Sequence, residues 1–104
     1  MKLRMPTRMS AAEAENIAMQ AFLFLVADDE RMQRFIGLSG FDVGNAREAA
    51  AAPGLLAGVL AHYLNDEDAI IAFSEAEHLH PLSVALAYRT IPGGDPTLEI
   101  NTGY

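Results

Sequence analysis

An all-α fold, a compact orthogonal bundle of five to six short helices, is predicted by three features of the sequence. Apolar residues recur at i, i+3 and i+4 along most of the chain, the spacing that lines one face of a helix. Helix start signals stand ahead of these runs at Ser10, Asp28, Asp42 and Asp66, and turns rich in Gly or Pro interrupt them. No stretch combines strand periodicity with the length and turn signals of a convincing β-element.

Ser10-Ala11-Ala12-Glu13 is a capping box, whose hydroxyl and carboxylate satisfy backbone N–H groups at a helix start, so the first helix opens at Ala11. Ala14, Ile17, Ala18, Ala21, Phe22 and Leu25 give it one apolar face through about Ala27, while Leu23, Phe24 and Val26 make its last turns apolar all round. Such a segment is either the central helix of the fold or part of a contact surface. Asp28-Asp29-Glu30 opens the second helix, with Met32, Phe35, Ile36 and Leu38 as its face and Ser39-Gly40 as its stop. A third helix, capped by Asp42, presents the small residues Val43, Ala46, Ala49 and Ala50. Pro53 suits the first turn of a fourth, whose face is Leu55, Leu56, Val59, Leu60, Tyr63 and Leu64. The acidic run Asn65-Asp66-Glu67-Asp68 starts a fifth that carries Ile70, Ile71 and Phe73 to about His78. His80-Pro81 opens a sixth with Val84, Ala85, Tyr88 and Ile91, ended by Pro92-Gly93-Gly94-Asp95-Pro96.

The domain therefore spans residues 10–91, between a flexible basic leader (1–9) and a flexible tail (92–104). Its core is expected around Phe22, Leu25, Phe35, Val59, Leu60, Ile70 and Phe73. Shifting the sequence by about 38 residues lays Ile17, Phe22, Asp28 and Phe35 over Leu55, Leu60, Asp66 and Phe73, so two three-helix units in tandem are an alternative to a single bundle. Chance agreement between amphipathic helices explains the same overlay.

Composition excludes several function classes. The chain has 104 residues, 51% of them hydrophobic, which supports one core and rules out a disordered polypeptide. A net charge of −7, with Lys and Arg scattered apart from Lys2, Arg4 and Arg8, argues against a nucleic-acid partner. There is no cysteine, hence no disulfide, thiolate nucleophile or Cys-based zinc site. The longest apolar run, Ala21 to Ala27, is far short of the ~20 residues that span a bilayer, and polar residues interrupt the N-terminus where a signal peptide would be apolar. A cytoplasmic protein with no membrane partner is expected.

The candidates for chemistry are few. Glu75, His78 and His80 form the one cluster with metal-ligand character, because Glu75 and His78 have the Glu-x-x-His spacing of carboxylate-bridged di-metal bundles. Those sites require a second such pair on another helix, and the only other one, Glu77 to His80, overlaps the first and runs into Pro81. Solvated helix-end histidines are the competing reading. His62 lies on the flank of an apolar face beside Tyr63, with no nucleophile in evidence. The acidic runs lack the twelve-residue calcium-loop pattern and read as helix starts. No catalytic residue, cofactor or assigned metal site is expected, and the chain is expected not to be an enzyme.

The Ser39-Gly40-Phe41 turn between helices resembles that of a ubiquitin-associated-type three-helix unit, in which a Gly-Phe loop presents an apolar patch; burial of Phe41 among its apolar neighbours is the competing reading and the favoured one. The resemblance adds Leu38, Phe41, Tyr63 and Leu64 to Leu23, Phe24 and Val26 as candidate interaction residues. Ala14 to Leu23, Asp29 to Phe35, Ser39-Gly40-Phe41-Asp42 and Asp66 to Phe73 together resemble the small bacterial family called domain of unknown function 3572, over residues 11–91. Arg34-Phe35 followed by Gly40-Phe41-Asp42 is the most specific part; Val43, where the family pattern has Pro, and a longer tail are departures. The resemblance implies a compact helical domain in a bacterial cytosol and supplies no catalytic residue. The sequence reading is thus an interaction module, binding an unidentified protein or weakly associating with itself, with metal or small-ligand binding through Glu75, His78 and His80 as the alternative.

Overall fold

The computed structural model describes residues 9–39 and 54–98. Within them lie helices α1 (Ala11–Val26), α2 (Asp29–Ser39), α3 (Leu55–Leu64), α4 (Glu67–Glu77) and α5 (Leu82–Thr90), and no strand. The fold is all-α, as the periodicity predicts. The helix expected from Asp42, and with it the comparison of two tandem units, falls outside the described residues, as does Pro53.

Three of the helix starts are explained by a side-chain oxygen that accepts a hydrogen bond from a backbone N–H. Ser10 Oγ accepts from the Glu13 N–H at 3.1 Å, Asp28 Oδ1 from Arg31 at 3.2 Å and Asp66 Oδ1 from Ala69 at 3.2 Å. Two starts differ in detail from the sequence reading. Helix α3 begins at Leu55, with Gly54 in the left-handed region (φ 81°), which a residue without Cβ adopts at no steric cost. At α5, His80 Nδ1 accepts the Leu82 N–H at 3.1 Å, so the histidine ring supplies the cap and Pro81 stands just outside the helix.

Helix α1 packs most extensively on α5 and α3, and α3 in turn meets α5, α4 and α2. Phe22, Leu25, Phe35, Val59, Leu60 and Phe73 are all fully or almost fully buried, as predicted, whereas Ile70 is half-buried at the margin. Each of the larger side chains removed from water contributes roughly 1.5–3 kcal/mol. Tyr63 is the largest fully buried side chain, and its hydroxyl donates to the Ala21 carbonyl at 2.9 Å, tying α3 to the middle of α1. Its ring lies 5.3 Å from that of Phe73, so α1, α3 and α4 share one aromatic junction.

The stop after α5 is itself structured. Asp95 N–H donates to the Tyr88 carbonyl at 3.1 Å, and the backbone of Gly94 passes so close that a Cβ there would overlap the same carbonyl. The carboxylate of Asp95 then accepts from Thr97 N–H at 2.9 Å and from its hydroxyl at 2.6 Å. Helix α4 ends differently, on His78 in the left-handed region at φ 54°, with the Leu79 N–H returning to the Ser74 carbonyl at 2.9 Å. A side chain with a Cβ is strained there, so His78→Gly is expected to raise stability by about 0.5–1 kcal/mol, measured by urea unfolding.

Candidate functional site

The geometry separates the metal candidates. Because His78 leaves the helix as a left-handed cap, it does not continue the face on which Glu75 lies one turn earlier. Glu75, Glu77 and His78 are exposed, and the Nδ1 of His80 is occupied by the Leu82 N–H. Among the described residues no three His, Asp or Glu side chains come together where they could hold a metal ion. The Glu-x-x-His spacing carried no information about the reversal at His78, since a non-Gly left-handed cap leaves no reliable mark in sequence.

His62 occupies a more constrained place. Its ring meets the fully buried Phe35 edge-on at 5.3 Å, and Asp66 follows one turn later. Asp66 does two things at once: Oδ1 caps α4, while Oδ2 accepts from Arg34 Nη1 at 3.2 Å and so joins α2 to the α3–α4 turn. Burial lowers the His62 pKa from its ordinary 6.5, against the pull of the Asp66 carboxylate and with the help of Arg34. Asp66 is held below its ordinary 3.8, chiefly by the Ala69 N–H and further by Arg34.

Both shifts make acid destabilising. Below pH 6.5 the unfolded chain protonates at His62 before the folded one does, so stability is complete above 6.5 and falls as the pH drops toward the lowered native value. The Asp66 contribution is present above 3.8 and is lost below it, as pH falls through the native value. The thermal midpoint is therefore expected to decline as the pH falls below 6.5, and His62→Gln to flatten that limb. Identical pH profiles for the two proteins would remove His62 from this role.

The candidate interaction residues divide. Leu23, Val26 and Leu38 are exposed, at 56%, 39% and 75%. Phe24 and Leu64 are half-buried, and Phe41 lies outside the described residues. Tyr63 is fully buried and is not part of a surface; it shares a helix face with the buried Val59 and Leu60, and that spacing outweighs its proximity to Leu64. Phe24 turns toward the core, its ring 5.7 Å from Phe73, and the Arg31 guanidinium covers it at 5.5 Å. Ile71, one of the apolar residues of the helix predicted after Asp66, is 44% exposed because α4 buries the side bearing Ala69, Phe73 and Ser74.

What remains on α1 is an outward strip that carries the exposed Leu23 and Val26 and is edged by the half-buried Met19. Successive residues advance by about 100°, so Leu23 points away from the face that buries Ala14, Ile17, Ala18, Ala21, Phe22 and Leu25, with Met19 and Val26 beside it. A family model described as "Protein of unknown function (DUF3572)" matches residues 11–94. The chain belongs to the DUF3572 family. The match runs from the first residue of α1 to the Gly94 that packs against Tyr88, so the DUF3572 unit includes all five described helices and the turn that closes the last of them. No curated protein and no solved structure matches the chain. Among the described residues of this DUF3572 chain, no helix is long and apolar enough to cross a membrane.

Proposed function

We propose that this DUF3572 chain is a helical protein-interaction module without catalytic activity, whose contact surface is the outward strip of α1. The observation that supports this reading is the exposure of Leu23 and Val26 on a helix whose opposite face is completely buried. A helix that needed only to fill the core would carry polar residues at those positions, as α1 does at Glu13, Glu15 and Asn16. Contiguous apolar surface on a small domain is a common mark of a contact site. Leu38 is a further exposed apolar side chain, on α2, whereas Tyr63 and Phe24 stabilise the fold.

The test is photo-cross-linking in cells, with a benzophenone amino acid at position 23 and, as control, at the exposed position 77 on α4. A discrete adduct formed from position 23 and not from 77 is the expected result. Equal, diffuse labelling from both positions would leave the α1 strip without an interaction role.

A further inference from the structure

We propose that the outward strip of α1 docks a basic amphipathic helix of a partner protein; this names the partner chemistry for the interaction role and rests on that reading. The exposed Leu23 and Val26, with the half-buried Met19 that also packs against the core, follow one another at i, i+4 and i+7, the register in which one helix packs along another. Both ends of the strip are acidic. Glu15 stands one turn before Met19, and Asp28, Asp29 and Glu30 follow Val26, all exposed. Arg31 pairs with Asp28 at 3.5 Å and lies over the Phe24 ring, which leaves Glu15, Asp29 and Glu30 as the carboxylates of the rim with no ion pair among the described residues.

This charge arrangement selects among occupants. A second copy of the chain would bring Glu15 or Asp28-Asp29-Glu30 against the same carboxylates whichever way the two helices ran, and like charges in apposition are unfavourable. An anionic bilayer meets the same repulsion, since helices that lie on membranes flank their apolar strip with Lys and Arg. A helix with Leu or Met along one stripe and Lys or Arg at its two ends satisfies both the apolar strip and its acidic rim.

The probe is a synthetic amphipathic peptide about five turns long, with a Leu stripe flanked by Lys and Arg. It is titrated into the isotope-labelled full chain and followed by NMR, beside a scrambled peptide of the same composition and a version with Glu in place of the cations. Saturable shifts centred on Met19 to Val26 are expected with the first peptide only. Leu23→Ser/Val26→Ser, which leaves the charge unchanged, should weaken binding at least about tenfold. Asp28→Asn/Asp29→Asn/Glu30→Gln, in which Asn keeps the capping oxygen, should weaken it severalfold and reduce its salt dependence. Circular dichroism of both variants is the check that they fold.

Equal binding of the scrambled peptide, or affinity indifferent to Leu23→Ser/Val26→Ser, overturns the proposal. Concentration-dependent dimerisation through the same strip would assign it to a second copy and also overturn it. A cross-link from position 23 to a partner without basic character would end this inference while leaving the interaction role in place.

Discussion

Phe35→Ala is expected to cost about 3–5 kcal/mol, enough to bring the domain to the edge of unfolding. Phe35 is fully buried and is the one fully buried residue of α2 among the described residues. Helix α2 is otherwise amphipathic and largely exposed, and among the described helices it packs mainly on α1 and α3. Removing the ring therefore takes away the main apolar anchor of a whole helix as well as the edge contact with His62 at 5.3 Å. A cavity in the protein's interior keeps its cost when neighbours cannot collapse into it, and here the neighbours are fixed by capped helices on either side. The urea midpoint should fall by roughly 2–3 M at an unfolding slope typical of small domains. The Arg34–Asp66 contact, 3.2 Å long and largely solvated on the arginine side, cannot compensate, because exposed ion pairs contribute only ~0–1 kcal/mol. A midpoint that hardly moves would mean that α2 is held by something other than Phe35.

The helical architecture was legible because its determinants are local. Ser10, Asp28 and Asp66 each cap the helix that follows them, and the apolar spacing of α1 separates its buried residues from Leu23. The details that escaped depend on contacts between elements or on single backbone torsions. Nothing in the run from Glu75 to His80 signals that His78 turns left-handed, and that torsion undoes the metal-site spacing. The role of His80 as a cap was hidden behind Pro81, which by itself fits the first turn of a helix. The candidate surface was readable in part: helical phase places Leu23 and Val26 outward, and it equally places Tyr63 inward beside Val59 and Leu60. Phe24 is the intermediate case. Its phase lies at the edge of the core face, and only the position of α4, which brings Phe73 to it, decides that it turns inward.

Adjacent residues of α1 should consequently respond in opposite ways to the same substitution. Leu23→Glu replaces a side chain that is 56% exposed and points away from the bundle, so stability should change by no more than about 0.5 kcal/mol. Phe24→Glu removes the ring contact with Phe73, the cover provided by Arg31 and part of the burial of the junction, and should cost about 2–4 kcal/mol. The new carboxylate lies near Arg31, but a pairing there competes with Asp28, which already holds the guanidinium at 3.5 Å, and offsets only a fraction of the loss. Thermal unfolding of the two variants, with binding to the cationic helical peptide measured on each at a temperature where both are folded, separates core from surface. Leu23→Glu should keep the wild-type midpoint and lose the peptide; Phe24→Glu should unfold early yet bind while folded. If Leu23→Glu were the destabilising change, the outward strip of α1 would be part of the packed core and no surface would remain there for a partner.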